Sequence, residues 1–118
     1  MPRTYVALDL ELTGLDRQRD EIIEIALVRF RGSEVLDTFS SLVHTKRPVS
    51  PRIEQLIGLT SKDVADAPRL EQLRGEILRF ISNYPLVAHS IENDLFFLQK
   101  QGLNLQNVAL DTFELASI

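Results

Sequence analysis

The chain has 118 residues, a mass of 13.4 kDa and a net charge of −4, with 44% hydrophobic and 25% charged residues. This size fits one domain, and the composition argues against a disordered, collagen-like or coiled-coil chain. The sequence contains no cysteine, which excludes a disulfide scaffold, a cysteine-based zinc site and a thiol nucleophile. A protein of this charge does not attract nucleic acid through its overall charge, so binding of a polyanion would need a local basic edge or a bridging metal ion.

The compartment is predicted from what the sequence lacks. No apolar run approaches the roughly 20 residues that span a bilayer, so no membrane partner is expected. Met1 to Thr4 leads directly into a strand pattern, which predicts no signal peptide. The absence of cysteine also suits the cytosol, and we expect a cytoplasmic protein.

The first third of the sequence has the pattern of three strands. Residues 5–11 and 21–31 are rich in apolar and β-branched side chains. A two-residue turn of hairpin type, Gly32-Ser33, separates the second run from a third over 35–43. The chain is therefore predicted to begin with a strand meander.

Helices and two further strands are predicted in the rest of the chain. In order, they are a helix from Ser50-Pro51 to Gly58, a short capped turn at Thr60 to Asp63, an amphipathic helix over roughly 69–82, a strand at 85–88, a helix from Ile91 to Gly102, a strand at 108–110 and a helix that starts at 112–118. This order predicts an α/β fold in which a mixed five-stranded sheet is flanked by helices. The last helix would be only about two turns long, as if a structural unit continued.

Two carboxylates lie on the first predicted strand. Asp9 and Glu11 are two residues apart, so their side chains share one face of the strand, with Leu8 and Leu10 on the other. Neighbouring carboxylates repel each other unless a cation lies between them, and Mg²⁺ or Mn²⁺ prefers such oxygen ligands. The alternative is a pair of solvated acids near a strand end.

Asp94 adds a third carboxylate. Its spacing from Ile91 and Leu98 places it on the apolar face of the predicted helix, where an unpaired carboxylate is costly. This helix follows a short apolar strand, and functional groups gather where strands end and helices begin. Asp94 could therefore join Asp9 and Glu11, although a backbone cap or an arginine partner would also explain it.

Several motifs together resemble the DnaQ-like 3′–5′ exonucleases, the DEDDh class of the ribonuclease H-like fold. Their order and spacing carry the resemblance, which covers essentially the whole chain. The matching segments are DLELTGL at 9–15, DEIIEIA at 20–26, LIGLT at 56–60, VAHSIENDL at 87–95 and LDTFELA at 110–116.

The resemblance implies a two-metal phosphodiesterase that uses Mg²⁺ or Mn²⁺. Asp9 would bridge both metal ions, Glu11 would bind one, and Asp94 would help to hold the other. Leu12 and Thr13 would contact the terminal nucleotide. His89 matches the histidine of the second motif, which implies a structural or substrate-binding role.

The sequence departs from the family pattern in the second and third motifs. Ser90 and Asn93 replace the usual Asn and Phe, and Leu12 stands where many relatives have Thr. The third motif, H-x-x-x-x-D, supplies the general base and a fourth aspartate, but no histidine follows His89. Loss of a general base costs about 10²–10⁴-fold, so weak activity or none is expected of these 118 residues.

Other polar and aromatic residues have competing interpretations. Asp111 is expected to be structural, for instance as a cap of the helix at 112, and His44 to lie on the surface. Glu24 is either a supporting acid or a strand-edge polar group, and Lys46, Arg47 and Arg52 are either a solvated loop or a phosphate contact. Phe96 and Phe97 are expected in the core.

We therefore predict a metal-dependent 3′–5′ exonuclease domain that acts on single-stranded DNA or RNA 3′ ends. Residues 1–118 would form its N-terminal two thirds, without the C-terminal helices. It would be a proofreading or repair subunit that works with a DNA polymerase, or the nuclease part of a larger protein such as a helicase fusion. The alternative is a non-catalytic module that keeps the fold and binds nucleic acid or protein.

Overall fold

Five strands and four helices form in the order that the sequence predicts. The structure is a computed structural model, and it describes residues 2–112. The elements are β1 (Thr4–Leu12), β2 (Ile22–Arg31), β3 (Glu34–Leu42), α1 (Pro51–Ile57), α2 (Ser61–Ala65), α3 (Leu70–Ile81), β4 (Leu86–Ala88), α4 (Ile91–Lys100) and β5 (Ala109–Asp111). The fifth strand begins and ends one residue later than expected. Residues 113–118 of the predicted last helix lie outside the described part.

The strands form one mixed sheet in the order β3-β2-β1-β4-β5. β1 pairs antiparallel with β2, which pairs antiparallel with β3, so the predicted meander is confirmed. β4 joins β1 in parallel and β5 joins β4 in parallel. The central β1 thus has an antiparallel neighbour on one side and a parallel neighbour on the other. The parallel β1 and β4 end at the same edge of the sheet.

Local signals set the ends of the elements. Ser50 caps α1, because its side chain accepts from the amide of Ile53, and Gly58 ends this helix in the left-handed conformation at φ +72°. Thr60 and Asp63 form both hydrogen bonds of a capping box on α2. Gly32, at φ +59°, lies in the two-residue turn between β2 and β3. These predicted caps and turns are confirmed.

The main core lies between one face of the sheet and the helices α3 and α4. Val6, Leu8 and Leu10 of β1 point into it, as the alternation predicts. The other members are apolar side chains from the remaining elements, chiefly Ile22, Ile25, Leu27, Leu73, Ile77, Phe80, Leu86, Phe97 and Leu98. Because β1 is central and one of its faces is packed, its opposite face carries the remaining side chains, Asp9 and Glu11 among them.

A smaller apolar cluster joins α1 and α2 to the sheet. Ile23, Val49 and Val64 are its buried members. The pairing of β1 with β2 shifts register between Glu11 and Leu12, so Ile22 and Ile23 are both buried although they are adjacent in the strand. No helix within residues 2–112 is long and apolar enough to cross a membrane.

Candidate active site

Asp9 and Glu11 lie on the face of β1 that points away from the main core. Asp9 is exposed and Glu11 is half-buried, while Leu8 and Leu10 are 4% and 8% exposed on the opposite face. The register places Glu11 directly opposite Glu24 of β2. Two acids in cross-strand positions repel each other, so this face of the sheet is rich in uncompensated negative charge.

The pKa of Glu11 reflects this crowding. Burial raises its pKa above the ordinary value, and the negative charges of Asp9 and Glu24 raise it further. Glu24 is therefore close enough to act on Glu11 electrostatically, in line with the interpretation of Glu24 as a supporting acid.

Asp94 projects from the first turn of α4 and is only 8% exposed. Burial raises its pKa to about 7, with further contributions from the negative charges of Asp9 and of Asp111. An acid that repels Asp9 in this way lies near it, so the fold brings together carboxylates that are 85 residues apart in sequence. The charge of Asp9 acts on both Glu11 and Asp94.

The start of α4 is held by Asp111 of β5. Its Oδ1 accepts from the amide of Ser90 at 3.2 Å, and its Oδ2 accepts from the amide of Ile91 at 3.1 Å. Ser90 adopts the left-handed conformation at φ +58°, and its own side chain does not cap the helix. The structural role expected for Asp111 is confirmed, because Asp111 caps α4, whose first residue Ile91 lies three residues before Asp94. The suggested helix from 112 continues outside the described residues, so its cap stays a prediction.

The loop after β1 is organised by a buried aspartate, Asp20. Its Oδ1 accepts from the hydroxyl of Thr13 at 2.7 Å, and its Oδ2 accepts from the amide of Asp16 at 2.7 Å. Burial alone would raise the pKa of Asp20, but these hydrogen bonds and the charges of Arg47 and Lys100 hold it below the ordinary value. The loop therefore has a fixed shape next to Glu11.

Thr13 and Leu12, the expected nucleotide contacts, have internal partners in this structure. Thr13 is 6% exposed, and its hydroxyl donates to Asp20 and accepts from the amide of Glu21 at 3.0 Å. Leu12 is half-buried against the main core. Leu15, by contrast, is 99% exposed, and a cavity of about 220 Å³ beside Glu11 is lined by Leu12, Leu15 and Ile53 among others.

The basic residues after β3 are tied to the same loop. Glu21 Oε2 accepts from the amides of Lys46 and Arg47 at 3.0 Å each. The guanidinium of Arg47 forms an ion pair with Asp20 at 3.5 Å. Two adjacent acids, Asp20 and Glu21, thus fix the position of this basic loop, while Lys46 and Arg52 remain exposed.

The two histidines occupy different environments. His44 is partly exposed, as expected of a surface residue, and its Nδ1 donates to the carbonyl oxygen of Ala65 at 3.0 Å, which ties the segment after β3 to the end of α2. His89 is exposed just beyond β4, with Nδ1 3.5 Å from the hydroxyl oxygen of Thr112. The predicted contact of His89 with substrate stays a prediction.

The donors suit a divalent cation, but they are not gathered into a finished metal site. Within residues 2–112, no group of three or more His, Cys, Asp or Glu side chains is arranged to hold a metal ion. In the same range, no basic side chain forms an ion pair with Asp9, Glu11 or Asp94. Mutually repelling carboxylates without a basic partner match the oxygen ligands that Mg²⁺ and Mn²⁺ prefer.

Sequence reasoning was wrong about Phe96 and missed Asp20 as a loop anchor. Phe97 is 2% exposed, as expected of a core residue, but Phe96 is 38% exposed. The ring of Phe96 lies on the outer face of α4, three residues after Asn93. Gly14 is the sequence feature that could have indicated this role of Asp20. A side chain at position 14 would collide with the Asp20 carboxylate, because a Cβ there would lie 2.6 Å from Asp20 Oδ2.

Comparison with protein families gives one consistent match. The profile of the exonuclease family (RNase T type) matches residues 6–115. The chain is 38% identical over 116 residues to "DNA polymerase III PolC-type" of Caldanaerobacter subterraneus subsp. tengcongensis, covering 95% of the chain and 8% of that protein. It is 34% identical over 118 residues to "DNA polymerase III subunit epsilon" of Aquifex aeolicus, covering 96% of the chain and 58% of that subunit.

Solved structures share the fold. Exonuclease X in complex with 5′ overhanging duplex DNA matches with a TM-score of 0.70 and 27% identity, over 95% of the chain and 61% of that chain. Exonuclease I in complex with an inhibitor matches with a TM-score of 0.80 and 12% identity, over 98% of the chain and 30% of that chain. The predicted ribonuclease H-like sheet is confirmed. The chain spans less than two thirds of each of these proteins, from 8% to 61%.

Proposed function

Since this chain belongs to the exonuclease family, we propose that it is a metal-dependent 3′–5′ exonuclease domain that hydrolyses phosphodiester bonds at nucleic-acid 3′ ends. The observation that supports the proposal is the mutual repulsion of three acids from β1 and α4: the charge of Asp9 raises the pKa of both Glu11 and Asp94. None of the three forms an ion pair with a basic side chain among residues 2–112.

The proposed roles are those that the resemblance to the family implies. Asp9 would contact both metal ions, Glu11 would bind one of them, and Asp94 would help to hold the other. Bound divalent ions supply charge to activate water and to stabilise the phosphorane-like transition state. The protein fixes the ligands through Asp111, which holds α4, and through Asp20, which holds the loop after Glu11. Leu12 and Thr13 would contact the terminal nucleotide, and His89 would have a structural or substrate-binding role.

The histidine of the third motif, which the family pattern uses as general base, has no counterpart in these 118 residues. No histidine follows His89 in the sequence, and His44 is engaged with Ala65. We propose that these residues alone bind 3′ ends and metal ions but hydrolyse slowly. A missing base lowers a rate by about 10²–10⁴-fold, so slow turnover remains measurable with Mn²⁺ and enzyme in excess of substrate.

The test of this function uses Mn²⁺ binding and strand shortening together. Wild-type protein should release heat on titration with Mn²⁺ and should shorten a 5′-labelled oligonucleotide from its 3′ end. The Asp9→Asn variant should bind Mn²⁺ at least tenfold more weakly, because the central carboxylate loses its charge. Asp66→Asn removes the same charge at an exposed position on the end of α2 and should behave like wild type.

The alternative function is a non-catalytic module that keeps the fold and binds nucleic acid or protein. It is favoured by the absence, within residues 2–112, of a finished three-residue metal site, and by Ser90 and Asn93 in the second motif. Wild-type protein that neither binds millimolar Mn²⁺ nor shortens the oligonucleotide would support the module and contradict the nuclease.

We further propose a DNA polymerase as the working partner, because the relatives named above are a PolC-type polymerase and an epsilon subunit. A proofreading role predicts faster removal of a mispaired, frayed 3′ nucleotide than of a paired one. Equal rates on matched duplexes that differ only in the terminal pair would contradict it. The second proposed setting of this domain is the nuclease part of a larger protein such as a helicase fusion.

A further inference from the structure

The loop between β1 and β2 is fastened to the outer face of α4. Nε of Arg17 donates to Oδ1 of Asn93 at 3.0 Å, and the guanidinium carbon lies 4.8 Å from the centre of the Phe96 ring. Nζ of Lys100 donates to the carbonyl oxygens of Arg17 and Gln18 at 2.8 and 3.1 Å. Asn93, Phe96 and Lys100 are spaced by three and four residues and so share one helix face. The guanidinium is thereby held over the ring.

These contacts form a positively charged groove, which we call the Arg17 groove. It has a volume of about 500 Å³ and is lined by Arg17, Gln18, Phe96, Gln99 and Lys100, without an acidic residue. Among residues 2–112, neither Arg17 nor Lys100 forms an ion pair with a carboxylate. Lys100 does lower the pKa of Asp20, which already pairs with Arg47. In a chain with a net charge of −4, such a lining favours an anionic partner.

The Arg17 groove is connected to the proposed site by two segments of the chain. Asn93, which orients Arg17, is the residue before Asp94. The loop that carries Arg17 continues from β1, which carries Asp9 and Glu11. A strand whose 3′ end reaches these carboxylates therefore passes close to the groove.

We propose that the Arg17 groove binds a segment of single-stranded nucleic acid upstream of the 3′ end. A base stacks on the outer plane of the Arg17 guanidinium, which Phe96 supports from the other side, and a phosphate contacts Lys100. Cationic side chains combined with stacking planes are the usual means of holding single strands. The inference rests on the proposed function, because it extends the path of the same strand.

Arg19 provides a matched control for Arg17. It lies on the same loop and is exposed, but it does not line the groove. Arg17→Gln and Arg19→Gln therefore change the charge of the loop equally, and only the first removes the stacking plane. Arg17→Lys keeps the charge and also removes the plane. Circular dichroism spectra verify that each variant is folded.

The experiment measures fluorescence anisotropy of a labelled 15-nucleotide oligo-dT in EDTA, so that no metal ion contributes to binding. We expect Arg17→Gln to weaken binding about tenfold, since stacking is worth ~1–3 kcal/mol per base. Arg19→Gln should change the affinity less than twofold, and Arg17→Lys should recover only part of the loss.

Three results would overturn the inference: no oligonucleotide binding by wild type, equal losses in the two glutamine variants, or displacement of the oligonucleotide by polyglutamate of equal charge. Failure of the groove is distinguishable from failure of the nuclease. A protein that shortens oligonucleotides with Mn²⁺ but treats Arg17 and Arg19 alike contradicts the groove alone. A protein that binds through Arg17 in EDTA but neither binds Mn²⁺ nor shortens the strand contradicts the nuclease alone.

Discussion

Two buried aspartates of this chain have pKa values shifted in opposite directions. Asp20 is 6% exposed and Asp94 is 8% exposed, so burial alone does not separate them. Asp20 accepts hydrogen bonds from Thr13 and Asp16 and pairs with Arg47, which lowers its pKa despite burial. Asp94 meets the charges of Asp9 and Asp111 instead, and burial together with these charges raises its pKa to about 7. The first arrangement stabilises the fold, and the second is costly without a cation.

The raised pKa of Asp94 predicts a pH dependence of stability in metal-free buffer. Between the ordinary value of 3.8 and about 7, the folded state binds more protons than the unfolded state, so the free energy of unfolding falls as pH rises. The Asp94→Asn variant carries no carboxylate at this position, so its free energy of unfolding does not fall with pH for this reason. At pH 8 it should be about 1–2 kcal/mol more stable than wild type, after allowance for solvent screening, and the gain should vanish near pH 4.

Urea denaturation at pH 4, 6 and 8 checks this prediction, with Asp20→Asn as the control. The pKa of Asp20 is lowered, so the ionised Asp20 carboxylate stabilises the fold above pH 3.8. The Asp20→Asn variant, which lacks this carboxylate, should therefore be less stable than wild type at pH 8. Destabilisation by Asp94→Asn at pH 8 in EDTA would contradict the environment described for Asp94. Mn²⁺ should stabilise wild type more than Asp94→Asn.

The loop from Thr13 to Glu21 is the element on which the candidate site most depends. It connects β1, which carries Asp9 and Glu11, with the basic loop at Lys46 and Arg47. Its shape requires a residue without a side chain at position 14, since a Cβ there would lie 2.6 to 2.9 Å from three atoms of the Asp20 carboxylate. Gly14 does not have a positive φ, so the limit is space and not backbone conformation.

Gly14→Ala should therefore destabilise the protein by about 1–3 kcal/mol, as overpacking does, and weaken Mn²⁺ binding by displacing the loop beside Glu11. Gly75→Ala is the matched comparison on the exposed side of α3. Its Cβ would meet only the flexible end of Arg79 at 3.4 Å, and it should stabilise the helix by about 0.5–1 kcal/mol. Thermal denaturation of both variants is the measurement. Equal effects of the two alanines would contradict the close approach of Asp20.

At the scale of the whole molecule, residues 2–112 form one main core and one smaller cluster. The main core joins the sheet to α3 and α4, whereas the smaller cluster of Ile23, Val49 and Val64 holds α1 and α2. Because the register shifts after Glu11, β2 contributes to both: Ile22 packs in the main core, and Ile23 packs in the smaller cluster. α1 and α2 contribute few buried side chains, so they should open without unfolding the sheet.

Val64→Ala should therefore act locally. It removes about 1–2 kcal/mol of apolar burial, and amide hydrogen exchange in α1 and α2 should accelerate while the amides of β1 and β2 keep their rates. Ile77→Val in the main core should instead accelerate the slowest amides throughout the protein by a similar factor. Uniform acceleration by Val64→Ala would show that the two clusters unfold as one unit.

The sequence by itself determined the elements, their caps and the shared face of Asp9 and Glu11. These features depend on hydrogen bonds within a few residues and on the two-residue period of a strand, so they can be read from neighbouring residues. The spacing of Asp94 on its helix, just after a short strand, indicated that it could join them, and the resemblance to a family turned this into an expected role as a metal ligand. It also gave the correct sheet.

Only the tertiary structure decided the partners of the polar side chains. Asp111 caps α4 across 20 residues, Asp20 reaches Arg47 across 27, and Phe96 is left outside the core beneath Arg17, 79 residues away in sequence. Such partners are set by which helix face packs on which sheet edge, and one chain segment does not contain that information. The shared strand face of Asp9 and Glu11 can thus be read from the sequence, while the contacts that hold the loop after β1 and the start of α4 require the fold.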